Sequence, residues 1–196
     1  MKRLTGKITS SIFKELDFNS VEQDKINYAM EVVLTDLSKA AILLIFFAFF
    51  GLVIDFLFVL AYSVPLRFNV GGFHMNKYYS CLLFTLMYCS LTIMLQRMVL
   101  TDNGLLFSVA AVCCFLIYFI SPVIPAKKLN AVLVRKLKMR GVTLSLLYLL
   151  IFPLSNSSYV RYGLWVIILQ ALLILIAKGV KENEKRKNKN YAAGSV

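Results

Sequence analysis

The chain has 196 residues, 59% of them apolar and 16% charged, with a formal net charge of +12. A soluble globular domain carries about 45–50% apolar and about 25% charged residues, so composition excludes an ordinary water-soluble fold. Nor does the charge point to nucleic acid: of the 22 Lys and Arg residues, six fall in Lys127–Arg140 with no acid and six in Lys178–Lys189 with two acids, as in the cytoplasmic flanks of membrane proteins.

The uncharged runs Tyr78–Gln96 and Asn103–Ala126 approach or exceed the roughly 20 residues that cross a bilayer. The expected fold class is therefore all-α: a polytopic membrane helical bundle with amphipathic N-terminal helices. Residues 1–39 form the amphipathic region, 40–178 the transmembrane bundle and 179–196 a polar C-terminal tail. The basic start Met1-Lys2-Arg3 is followed by no apolar core and does not read as a signal peptide.

In chain order, residues 1–39 hold six basic and six acidic side chains. Ile8, Ile12, Phe13 and Leu16 repeat at helical spacing, and so do Ile26, Met30, Val33 and Leu37. Ser20 with Gln23 reads as a capping box between the two stripes. Ala40–Leu66 is apolar apart from Asp55 and ends near Pro65. It is long for one span and short for two, and a helix pair bent near Gly51–Asp55 is the preferred reading. Asp55 either pairs with a cation or serves a function, because an acid inside a span is costly. Spans follow at Tyr78–Val99 and Leu105–Ile124, separated by the turn Thr101-Asp102-Asn103-Gly104. Ser121-Pro122 and Pro125 close the second, since proline removes a backbone donor. A basic loop covers 126–140, with Leu129, Val132, Leu133 and Leu137 as a helical stripe suited to membrane lipids. Spans at Val142–Leu154 and Tyr162–Ala177 complete the bundle, and the tail is expected to be disordered past Asn188.

Topology follows from parity. The basic loop and the tail belong in the cytoplasm, with two spans between them. Two more spans separate the basic loop from Gly71-Gly72-Phe73-His74, which puts that stretch in the cytoplasm too.

The stretch 67–81 holds the chain's single histidine and its Gly-Gly pair, with a cysteine seven residues after the histidine. A cysteine attacks a carbonyl as its thiolate, and a neighbouring histidine can take the proton. His74 and Cys81 are the natural pair, or they are chance neighbours; spacing alone leaves both open. Seven residues of straight helix rise about 10.5 Å, whereas a hydrogen-bonded pair needs roughly 3 Å. A working dyad therefore requires a bend between Gly71 and Ser80, with His74 near a loop and Cys81 at the start of the next helix. Arg67 is either a carboxylate ligand or a membrane-edge anchor. Asp55 and Asn69 are candidates for a third, orienting residue. Cys89 reads as packing. One histidine and scattered cysteines make poor metal ligands, so no metal and no cofactor is expected.

The pattern Arg67-x-x-x-Gly71-Gly72-x-His74-x-x-x-x-x-x-Cys81 resembles the signature of the accessory gene regulator B family, bacterial membrane peptidases that process quorum-sensing propeptides. Ser121-Pro122 followed by Lys127-Lys128 resembles that family's proline and lysine-rich loop. Phe73 and Met75 depart from it, standing beside the histidine where small residues are often found. The resemblance implies catalysis by His74 and Cys81 in the bacterial cell membrane. The substrate would be a short propeptide of the accessory gene regulator D type with an acidic C-terminal tail. Arg67, Lys127, Lys128, Arg135 and Lys136 would hold that tail. Cys81 would form a thioester as the tail leaves, and an internal Cys or Ser of the peptide would close a thiolactone or lactone. A homodimer would shield such a site. The alternatives are a small export component for an anionic peptide, using Asp55, and a non-enzymatic membrane adaptor.

Overall fold

The computed structural model describes residues 19–71, 78–98, 102–122, 131–155 and 157–193. The expected stripe from Ile8 to Leu16, His74, Lys127 and Lys128 lie outside the described residues. Six helices follow in order: α1 (Ser20–Phe49), α2 (Val53–Val70), α3 (Tyr78–Met98), α4 (Asn103–Ile120), α5 (Ala131–Leu154) and α6 (Arg161–Ala193), the last entered through a 3-10 turn at Ser158–Val160. Among the described residues, six helices are long and apolar enough to cross a membrane. The all-α, polytopic expectation holds.

Helix α1 belongs to a first compact unit that ends at Val53, and the helices from Ile54 onward form a second. In α1 the cap lies one residue before the expected Ser20. Asn19 is the N-cap, and its backbone N–H donates to Glu22 Oε2 at 3.2 Å. Asn caps as well as Ser, and the Glu at the third helical position supplies the returning acceptor. The helix then runs through position 40 without a break, so the polar residues from 20 and the apolar residues to 49 are one element. Lys39 pairs with Asp36 at 2.9 Å on the same helix. The chain breaks at Phe50–Leu52, where Gly51 takes φ +68°, a conformation other residues adopt only with strain. Ala40–Leu66 is thus divided between two helices.

The second unit is built around α6. Tyr162, Leu164, Val166, Ile167, Gln170 and Ile174 are buried on several sides of it, and half of its apolar window is buried, against a third or less for the other candidate spans. With the largest buried share of the candidate spans, it is the central helix of the unit. Helices α3, α4 and α5 pack directly on it. The buried face of α4 runs Leu106, Ala110, Cys113, Cys114 and Ile117, while Val109, Val112, Phe115 and Phe119 remain exposed. An apolar exposed face on a span is what lipid requires.

Helix α2 buries Phe56, Val59, Ser63, Leu66 and Val70, alternating three and four residues apart, the period of one helix face. Long side chains make much of its contact. Tyr62 meets Tyr148 edge-on at 4.9 Å, and Tyr148 Oη donates to the Tyr62 carbonyl at 3.1 Å. Phe58 stacks on Tyr159 at 4.6 Å. Without water to drive helices together, association in a bilayer relies on such packing, small residues and interhelical hydrogen bonds. The helix does not stop near Pro65 but continues to Val70; proline is tolerated in spans where neighbouring groups satisfy the freed backbone.

Three further boundaries differ from expectation. The basic segment from Ala131 and the apolar segment to Leu154 are one helix, α5, because Gly141 between them is used for packing rather than for a turn. The polar tail stays helical to Ala193, its Lys and Glu residues being good helix formers. Helix α4 ends at Ile120, with Ser121 as its C-cap and Pro122 next, four residues before the expected end of that span.

Candidate functional site

The two ends of this unit carry different chemistry. At one end, Asp55 in the first turn of α2 accepts hydrogen bonds from Arg97 in the last turn of α3 and from Tyr162 Oη at 2.7 Å. Gln96 Nε2 donates to the Ser158 carbonyl at 3.1 Å beside them. These groups, with Tyr159 and Arg161, line a cavity of about 390 Å³. Asp55 is buried and ion-paired, which is how an acid in a span offsets its desolvation. It lies some 22 Å along α2 from Val70, by the rise of 1.5 Å per residue.

At the other end, α2 stops at Val70 and the next described helix begins at Tyr78. Gly71 takes φ +80°, and its N–H donates to the Arg67 carbonyl at 3.0 Å. This is the left-handed glycine cap of a helix C-terminus. The Gly71 carbonyl accepts from Gln170 Nε2 at 2.7 Å. Asn69 Nδ2 donates to the Pro65 carbonyl one turn back at 2.7 Å, so its amide serves its own helix. From α5, Gly141 approaches so closely that a Cβ there would lie 2.5 Å from Val70 Cγ2.

Cys81 is the fourth residue of α3 and is buried. The first turn of a helix has unpaired N–H groups and a positive dipole end, which can receive an oxyanion. No disulfide joins any of the four cysteines, and Cys89 is buried in the middle of α3. Arg67, in the last turn of α2, lies over the Phe84 ring at 5.6 Å. Phe84 is three residues beyond Cys81, so Arg67 faces the same part of α3. Arg135 and Lys136 are exposed on the first turns of α5. That part of α5 belongs to the same end, because Gly141 touches Val70 and Lys138 sits 4.4 Å over the Tyr118 ring near the end of α4. Arg67, Cys81, Arg135 and Lys136 therefore share one end of the bundle. Among the described residues, no group of three or more His, Cys, Asp or Glu could hold a metal ion.

Sequence reasoning missed Gln170. Its signal was available: it is the one strongly polar side chain between Tyr162 and Ala177, and a lone polar residue in a span needs a partner.

The molecule is a multi-pass helical membrane protein with a cysteine at the fourth position of α3, the span that follows the Gly71 cap of α2. The chain matches Accessory gene regulator B over residues 5–174 and belongs to that family. It is 28% identical over 170 residues to an AgrB-like protein of Clostridium beijerinckii, covering 85% of this chain and 84% of that one. It is 25% identical over 122 residues to an AgrB-like protein of Clostridium acetobutylicum, covering 62% and 58%. No solved structure matches it. Membership gives the protein a role in the accessory gene regulator quorum-sensing system.

Proposed function

We propose that the protein is a membrane cysteine endopeptidase and cyclase acting on a propeptide of the accessory gene regulator D type. Family membership supports this reading, and the observation that carries it is the position of Cys81. The cysteine is the fourth residue of α3, ten positions past the Gly71 cap of α2, at the end of the bundle that carries Arg67, Arg135 and Lys136.

The Cys81 thiolate attacks the carbonyl before the acidic tail, and the new C–S bond gives a tetrahedral oxyanion that the N–H groups of the first turn of α3 receive. Collapse breaks the C–N bond. His74 gives its proton to the leaving nitrogen, and the tail departs as an amine. The peptide's own Cys or Ser then attacks the thioester, its proton passes to His74 as general base, and the Cys81 thiolate is released as the ring closes. The tether favours ring closure over water by raising effective concentration. Arg67, Arg135 and Lys136, with Lys127 and Lys128, hold the acidic tail on the cytoplasmic side. The exchange of an amide for a thioester is uphill, so removal of the tail or of the product drives it.

Coexpression with a tagged propeptide tests the proposal. Tail release is expected from the parent protein and is expected to disappear in Cys81→Ala and in His74→Ala. Release by both variants contradicts it. The export alternative depended on Asp55, whose carboxylate is engaged by Arg97 and Tyr162.

A further inference from the structure

We propose that Gln170 is a positioning residue for the reacting pair, acting through the backbone of Gly71; the inference rests on the peptidase reading above. Gln170 lies nine residues into α6 and is 1% exposed. A carboxamide removed from water is expensive unless it is hydrogen-bonded. Its Nε2–H goes to the Gly71 carbonyl at 2.7 Å, the first carbonyl past the end of α2. A main-chain oxygen at a helix terminus has no acceptor role inside the helix, so this bond gives the Gly71 carbonyl its partner and ties the end of α2 to α6.

Two other contacts act on the same three residues. The Gly71 N–H is tied back to Arg67, and Gly141 of α5 presses on Val70 and Asn69. Residues 69–71 are thereby held by their own cap, by α5 and by the central helix α6. His74 is three residues further along the chain, and α3 begins at Tyr78. A pair that no straight helix can bring together depends on a fixed departure point for the connecting segment. Gln170 supplies that point from the most deeply buried helix of the unit. Sub-ångström placement matters here, because a misplacement of about 1 Å can cost about 10²-fold in rate.

The test uses the full chain in detergent or proteoliposomes, with Gln170→Met, which keeps length and volume but has no donor, and Gln170→Asn, which stays polar but is one methylene too short. Ile174→Ala, one turn along the same helix and 1% exposed, is the control for loss of packing. Two readouts are followed: kcat and KM for tail release, and the pH dependence of Cys81 alkylation by iodoacetamide, mapped by mass spectrometry. The two Gln170 variants are expected to lose about 10²-fold in kcat with KM nearly unchanged, and to shift the alkylation profile in the direction seen for His74→Ala. Ile174→Ala is expected to lower thermal stability and keep the parent profile. A shifted profile in His74→Ala with parent profile and parent kcat in a folded Gln170 variant overturns the role of Gln170. So does an Ile174→Ala profile shifted as far as that of Gln170→Met. A parent profile and parent tail release in His74→Ala instead overturn the dyad on which the inference rests.

Discussion

Asp55 and Gln170 are both polar side chains buried in apolar spans, and each is satisfied differently. Asp55 takes a charged partner at the end of the bundle, where Arg97 remains open to water, and a neutral one, Tyr162, that is itself buried. Gln170 takes a backbone carbonyl. The first arrangement braces α2, α3 and α6 against one another; the second holds one chain direction. Asp55→Asn should therefore cost stability, by about 1–3 kcal/mol for hydrogen bonds to a charged group, while tail release per folded molecule stays at the parent level. Tyr162→Phe should cost about 1 kcal/mol in the same thermal-unfolding measurement. Equal stability of Asp55→Asn and the parent would mean that the ion pair contributes nothing net. Sequence alone showed that Asp55 needs either a partner or a task, but the partners lie 42 and 107 positions away, a distance that helical periodicity does not encode. The candidacy of Cys81 was legible because it follows the chain's single histidine by seven residues. That of Gln170 was not, because a glutamine in a span announces a need for a hydrogen bond without naming its acceptor.

At the scale of elements, the apolar runs located the spans well and their ends less well. Proline and glycine proved ambiguous punctuation. Pro122 follows the end of α4, yet Pro65 and Pro153 lie inside helices. Gly51 and Gly71 close helices with positive φ, whereas Gly141 lies within one and admits a neighbour. Whether a glycine serves as a turn or as a contact depends on what packs against it, which the sequence does not display. Two substitutions separate these roles. Gly51→Ala meets nothing within 4 Å, so its cost is the left-handed backbone alone, about 1–2 kcal/mol. Gly141→Ala overpacks against Val70 and should cost about 1–3 kcal/mol. Adding Val70→Ala should recover part of the second loss and none of the first, as measured by thermal midpoints of the single and double variants. Failure of Val70→Ala to relieve Gly141→Ala would mean that the α2–α5 approach is looser than described.

Across the whole second unit, the ends divide the work. The end with Asp55, Arg97 and Tyr162 ties helices together. The end with Gly71, Cys81 and the first turns of α5 gathers the groups assigned to the reaction. Arg135 and Lys136 lie on an exposed stretch of α5, which suits a flexible acidic tail better than a fitted pocket. Reversing Arg135 and Lys136 together to Glu should raise KM for a propeptide with an acidic tail about ten-fold, with kcat little changed, and the difference should shrink as salt screens it. A substrate whose tail acids are replaced by Gln should be insensitive to the reversal.

The account as a whole stands on Cys81 as the acylated nucleophile and His74 as its proton partner. Trapping answers this most directly: incubate the protein in membranes with a propeptide whose internal Cys or Ser is replaced by Ala, and look by intact mass for a thioester adduct. The account predicts an adduct that maps to Cys81, is released by hydroxylamine, and is absent in Cys81→Ala and His74→Ala. Tail release from the natural propeptide by Cys81→Ala protein, or an adduct on Cys89, Cys113 or Cys114, would contradict it.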